Sequence, residues 1–236
     1  MGKGNYVELA AISLVVVSVF LGAAWFGSSA VTVMALREAA QQRTVVVIDA
    51  GHGGEDGGAV SCTGALEKEI NLEISMRLND LFHLLGYHTR MIRKTDVSVY
   101  TAGNSVAQRK ASDLKARVQA VEDLESPILV SIHQNLFPDA RYNGAQVFYD
   151  PAGKGQYLAE TLQAAFRDTL NPGSRRQIKK ADGIYLMEHV SCPAVLIECG
   201  FLSNPEEESR LRVAEYQKNI CIIIAVETAK FLDGQT

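Results

Sequence analysis

The sequence predicts an α/β domain of three layers, a mostly parallel, twisted sheet of about six strands with helices on both faces. Three observations carry that expectation. Short apolar runs rich in β-formers recur at Val45–Ile48, Ile128–Ile132 and Ala194–Ile197, each bounded by turn or polar residues. Between them lie longer stretches whose apolar residues recur at the helical 3.6 spacing. Strands that alternate with helices in this way build parallel sheets through crossover connections.

The elements follow in order. The first strand, Thr44–Asp49, runs into Ala50-Gly51-His52-Gly53-Gly54, a loop whose glycines permit turns and close backbone approach. Thr63–Leu85 reads as a helix in which Ile70, Ile74, Leu78, Leu81 and Leu85 form the buried stripe. Glu67 falls on that stripe, whereas Glu69 faces away and Glu73 lies well off it. A buried carboxylate without a partner is costly, so Glu67 calls for a cation. Gly86 ends the helix, and Tyr87–Arg93 reads as a second strand, followed by a loop over Thr95–Gly103. Ala107–Leu124 is amphipathic, with Leu114, Val118 and Val121 inward and Arg117 flanking them as a snorkelling or salt-bridged arginine.

Ile128–His133 is a buried strand, Ala145–Tyr149 another, and Gln156–Leu170 a third helix. Asn171–Gly183 is a basic, turn-rich loop carrying Arg175, Arg176, Lys179 and Lys180, long enough to border a groove. Tyr185–Met187 reads as a short strand, and Ala194–Ile197 as a buried strand that delivers Glu198. Two helices, Pro205–Leu211 and Ala214–Leu232, close the domain.

Composition sets the outer limits. The chain has 236 residues and a formal net charge of −4, a balance that argues against nucleic acid as a partner. Leu9–Leu36 contains no charged residue, so residues 1–36 read as a signal peptide or membrane anchor, with Ser28-x-Ala30 as a loose cleavage pattern. Residues 37–43 then form a linker and 44–234 an extracytoplasmic domain, secreted or tethered to the membrane through the leader if it is uncleaved. Cys62, Cys192, Cys199 and Cys221 show no C-x-x-C spacing, so they are expected to pack as small hydrophobes. Export would permit a disulfide, with Cys192 and Cys199 nearest in sequence.

Three buried strands thus end on His52, His133 and Glu198, and a helix aims Glu67 at the same sheet edge. Two imidazoles and a carboxylate suit a catalytic zinc that keeps one position open. A second, unligated carboxylate, here Glu198, then serves as the general base and acid of amide hydrolysis. Other chemistries lack their motifs. Gly51-His52-Gly53-Gly54-Glu55-Asp56 places acids where a dinucleotide phosphate would sit. Neither an H-E-x-x-H helix nor a G-x-S-x-G elbow occurs.

Asp49-Ala50-Gly51-His52-Gly53-Gly54 with Asp56 and Gly58, Glu67-Lys68 before Asn71-Leu72, Ser131-Ile132-His133 with Asn135, and Ile197-Glu198-Cys199-Gly200-Phe201-Leu202-Ser203-Asn204 together resemble the zinc-dependent N-acetylmuramoyl-L-alanine amidases. The resemblance implies zinc bound by His52, Glu67 and His133, Glu198 as the catalytic glutamate, and peptidoglycan as substrate, cut between N-acetylmuramic acid and L-alanine. Ser112–Arg117 after Gln108-Arg109-Lys110 resembles the germination-specific branch, which implies action on spore cortex on the route to muramic δ-lactam. Cys199 stands where the family usually has Thr or another small residue, and Gln134 where Ala or His is common; neither is a ligand. With no basic surface or wall-binding repeat, the chain is expected to reach its polymer through a membrane tether or an accessory activator protein. Two alternatives stay open at this point, a non-catalytic wall-binding or activator module of the same fold and a metal-dependent polysaccharide deacetylase.

Overall fold

The computed structural model describes residues 44–234; the leader and linker expected over 1–43 lie outside the described residues. The elements are β1 (Val45–Ala50), α1 (Glu67–Leu84), β2 (His88–Met91), α2 (Val106–Glu122), β3 (Pro127–Asn135), β4 (Gln146–Tyr149), α3 (Gln156–Thr169), β5 (Lys179–Lys180), α4 (Tyr185–His189), β6 (Ala194–Phe201), α5 (Pro205–Leu211) and α6 (Ala214–Asp233). They form the expected three-layer α/β domain around one sheet of order β2-β1-β3-β6-β4-β5. The pairs β2–β1, β1–β3 and β3–β6 are parallel, while β4 runs antiparallel to β6 and carries β5 parallel to itself.

The central strands are covered on both faces, which is why they read as unbroken apolar runs. Val46, Ile48, Ile128, Val130, Ile132, Val195 and Ile197 belong to the larger core, with side chains from α1, α3 and α6. Val47, Leu129, Ala194 and Leu196 belong to a smaller core, shared with Val121 of α2 and Leu186 and Met187 of α4. The site opens on this thinner side. Among the described residues no helix is long and apolar enough to cross a membrane.

Five details differ from expectation, one being β5 itself, which lies within the stretch 171–183 expected as a loop. Tyr185–Met187 is not a strand but part of the short helix α4. Tyr185 stacks on His189 with ring centroids 3.9 Å apart, an i,i+4 contact that only a helix provides, and Glu188 accepts a bond from the Gly183 amide at 2.6 Å. Helix α1 starts at Glu67 rather than Thr63 and stops before Leu85, which is 46% exposed; Phe82 fills the core position instead. Helix α2 buries only Val121 and Arg117 fully, with Leu114 and Val118 half-buried. Finally, β3 and β6 run past His133 and Glu198, because after a bulge Asn135 still pairs with Phe201.

All four cysteines are free thiols, Cys62 exposed and the other three buried. Cys192 and Cys199 sit in the two cores on opposite faces of the sheet, so their proximity in sequence brings no bridge.

Candidate metal centre and catalytic cleft

His52 lies two residues beyond β1 and has φ +61°, the one non-glycine with positive φ among the described residues. Such a conformation is strained by about 1–3 kcal/mol and persists only where the surroundings over-determine it. Two buried guanidiniums do so here. Arg117 donates to the carbonyls of Ala50 (3.1 Å) and His52 (2.7 Å), and Arg93 to those of Ala50 (2.8 Å) and Gly51 (3.0 Å). Arg117 is itself anchored by Asp49 at 2.5 Å and Asp113 at 2.6 Å. Glycine is required on either side of the strained residue. A Cβ at Gly51 would stand 2.3 Å from the His133 ring, and one at Gly58 (φ +68°) 2.6 Å from Glu67 Oε2.

Glu67 is the first residue of α1, at the positive end of the helix dipole. Its amide donates to Ala59 O and its Oε2 accepts from Ala59 N at 2.9 Å, which docks the preceding loop onto the helix start. Oε1 accepts from the Gln134 amide at 3.0 Å and from Asn71 Nδ2 at 3.1 Å. Both imidazoles reach the same carboxylate, His52 Nε2 at 3.1 Å from Oε2 and His133 Nδ1 at 3.0 Å from Oε1. Burial pushes the Glu67 carboxyl up, but the bonds and charges of His133 and His52 outweigh it and hold it well below the usual carboxylate range. Burial likewise pulls His52 down, while Glu67 and then Asp56 more than offset it. Asp56 lies 3.0 Å from the other His52 nitrogen, Nδ1, and so fixes which nitrogen faces Glu67.

Glu198 is paired in register with His133 across the β3–β6 ladder and lines the same cleft, about 310 Å³ in volume, with Leu196, Ile184 and Leu186 on its wall. Its surroundings are the reverse of those of Glu67. Oε2 of Glu198 is buried and has no hydrogen-bond partner. Burial raises its carboxyl to about 7, a value that His133 moderates and the nearby Glu67 charge reinforces. A carboxyl with that value and a free oxygen is suited to exchange protons near neutral pH.

The structure therefore brings together all four residues singled out from the sequence. One donor atom each from His52, Glu67 and His133 lie within 4.8 Å of one another, and Glu198 borders the same space. Two imidazoles and a carboxylate arranged so closely fit a zinc ion. Sequence reading saw Arg117 as a snorkelling or salt-bridged arginine, and its pairing with Asp49 and Asp113 bears out the second; it did not show Arg93 or the contact of Asp56 with His52. The Asp56 spacing, four residues after His52 in a glycine-rich loop, was a usable signal. Arg93 offered none, because its acceptors are backbone carbonyls, most of them distant in sequence.

Residues 46–227 match the family described as N-acetylmuramoyl-L-alanine amidase. The chain is 37% identical over 178 residues to the germination-specific N-acetylmuramoyl-L-alanine amidase of Bacillus subtilis, covering 75% of this chain and 74% of that one. It is 30% identical over 175 residues to the amidase LytC of the same organism, covering 73% of this chain but only 32% of that longer protein. Among solved structures, the CwlD amidase of Clostridioides difficile, determined in complex with the GerS lipoprotein, superposes with a TM-score of 0.77 at 34% identity over 80% of this chain and 98% of that one.

Proposed function

The chain belongs to the N-acetylmuramoyl-L-alanine amidase family and is an amide hydrolase, and from that premise we propose a zinc-dependent enzyme that cleaves peptidoglycan between N-acetylmuramic acid and L-alanine. His52, Glu67 and His133 would hold the zinc, and Glu198 is the catalytic residue. The trio's donor geometry supports this most directly, since three ligand types suited to zinc converge while a fourth, acidic side chain stands beside them without a partner. Zinc held by these three residues would supply a Lewis acid for the scissile carbonyl and would lower the pKa of bound water. Glu198 Oε2 takes the proton of the attacking water and returns it to the departing amide nitrogen, so that L-alanine leaves with a free amine. Asp56 keeps the His52 ring turned with Nε2 inward, and the Arg93 and Arg117 guanidiniums keep the strained loop from relaxing.

Spore cortex is the peptidoglycan we assign to it, on the route to muramic δ-lactam, because the B. subtilis relative is a germination-specific amidase. The catalytic domain spans 44–234, carried outside the cytoplasm behind the leader at 1–36. The C. difficile relative, seen with a lipoprotein, supports an accessory activator for this chain as well.

Mass spectrometry of muropeptides tests the reaction. Incubating cortex with the purified chain should release stem peptides with new L-alanine amino termini and leave peptide-free muramic acid, and a chelator should abolish both. Release of acetate with stem peptides retained would identify a deacetylase instead, and muropeptides left intact even with an accessory lipoprotein added would identify a non-catalytic module.

A further inference from the structure

Beside the cleft lies a second, open groove of about 740 Å³ that the reaction as described does not use. Sheet register connects the two. His133, Glu198 and Gln146 form one row across β3, β6 and β4. Leu196, Phe148 and Lys179 form another across β6, β4 and β5. Residues paired in register project to the same face, so Gln146 and Lys179 share the face that carries Glu198. Leu196 lines the cleft, Gln146 and Lys179 line the groove, and Lys179 Nζ sits 5.9 Å from the centre of the Phe148 ring between them.

The groove is cationic although the chain carries a net charge of −4. Its Arg141 is matched by Asp139 at 2.7 Å, and Arg176 is committed to the scaffold. That arginine donates to Asn143 O and stacks 4.5 Å from the centre of the Phe201 ring. Arg175 and Lys179 remain exposed, neither with a carboxylate partner among the described residues.

On the amidase reading, which this inference presupposes, the geometry points to the groove as the subsite for the acidic stem peptide, with Arg175 and Lys179 pairing its carboxylates. The lactyl carboxyl of muramic acid is consumed in the scissile amide, so the substrate's ionised carboxylates lie on the peptide side of the cut. From β6 to β5 is two strand spacings, about 10 Å, and three extended peptide residues span about 10 Å. A peptide that leaves the cleft toward β5 therefore reaches Lys179 within about three residues, with Arg175 on the wall of the same groove.

The test compares a muramoyl-peptide bearing free carboxyls with the same compound amidated at those carboxyls. The zinc-loaded wild type is set beside the Arg175→Ala/Lys179→Ala double variant, with Lys180→Ala as control because strand alternation turns it to the other face. Wild type and control should prefer the free-carboxyl substrate about tenfold, mostly in KM. The double variant should lose that preference with kcat unchanged. Equal preference in wild type and double variant, or none in wild type, would overturn the assignment. Calorimetry with the free stem peptide separates this from the reaction itself. If turnover were absent but wild type bound the peptide and the double variant did not, the groove would stand and the amidase reading would fail; absence of binding by wild type would overturn the groove.

Discussion

The two sides of the cleft floor are built on opposite principles. Around β1 and the start of α1, the buried charges are answered. Glu67 meets two imidazoles, two backbone amides and Asn71, and Arg117 meets Asp49 and Asp113. Around β6, Glu198 stands against Leu196 with a buried oxygen that bonds to nothing. The saturated side holds its carboxylate ionised and its imidazoles in place, as a metal site needs. The dry side leaves its carboxyl close to neutrality, as a proton carrier needs. Two glutamates, one bonded to both histidines and the other paired in register with His133, thus differ in ionisation because their surroundings differ.

Disabling the dry side alone should cost turnover without touching the fold. Glu198→Gln is expected to lower kcat by about 10²–10⁴ while thermal melting stays at or above the wild-type value, since the side chain has no bond at Oε2 to lose. Breaking the saturated side should do the reverse and strike stability first. Asp49→Asn leaves Arg117 buried without its full counter-charge and is expected to cost about 3–5 kcal/mol in urea unfolding. The pH dependence sharpens that case. Burial alone would raise Asp49, but the charges of Arg117 and His133 and the Ser131 hydroxyl bring it below its ordinary 3.8. A carboxyl lowered on folding adds stability that is fully present above its unfolded value and is lost as pH falls through its folded value. Acid unfolding curves of the wild type should therefore show a loss of stability below about pH 4 that is smaller in the Asn variant, where Glu67 and Asp56 still titrate.

A smaller effect is expected one step out from the trio. Asp56→Ala should weaken zinc binding about 10–100-fold in a chelator competition, with melting of the metal-free protein nearly unchanged because Asp56 is half-exposed. The mildest change is to wet the dry wall. With Glu198 near 7 and active as a base only when ionised, kcat/KM should fall as pH drops through the acid limb of its profile. Leu196→Asn should move that limb to lower pH by about one unit or less.

Much of this division was legible in the sequence, and for a physical reason. Glu67 stood out because it lies on an apolar stripe, and His133 and Glu198 because apolar strands lead into them. The clamp on the other side was not legible. Asp49 and Arg117 are 68 positions apart, and Arg93 bonds to carbonyls, which have no sequence signature. Helix α4 was misread because Tyr185–Met187 is shorter than one helical turn, too short for a period of two to be told from 3.6. Phe82 could have been found, since it continues the i+4 spacing from Leu78 to the last full turn before Gly86.

Zinc content, measured on three purified chains, tests the division most directly. The wild type and Glu198→Gln should each hold about one zinc per chain, and Glu67→Ala should hold almost none. Zinc retained by Glu67→Ala, or lost from Glu198→Gln, would show that the ligand and the proton carrier have been assigned to the wrong glutamates.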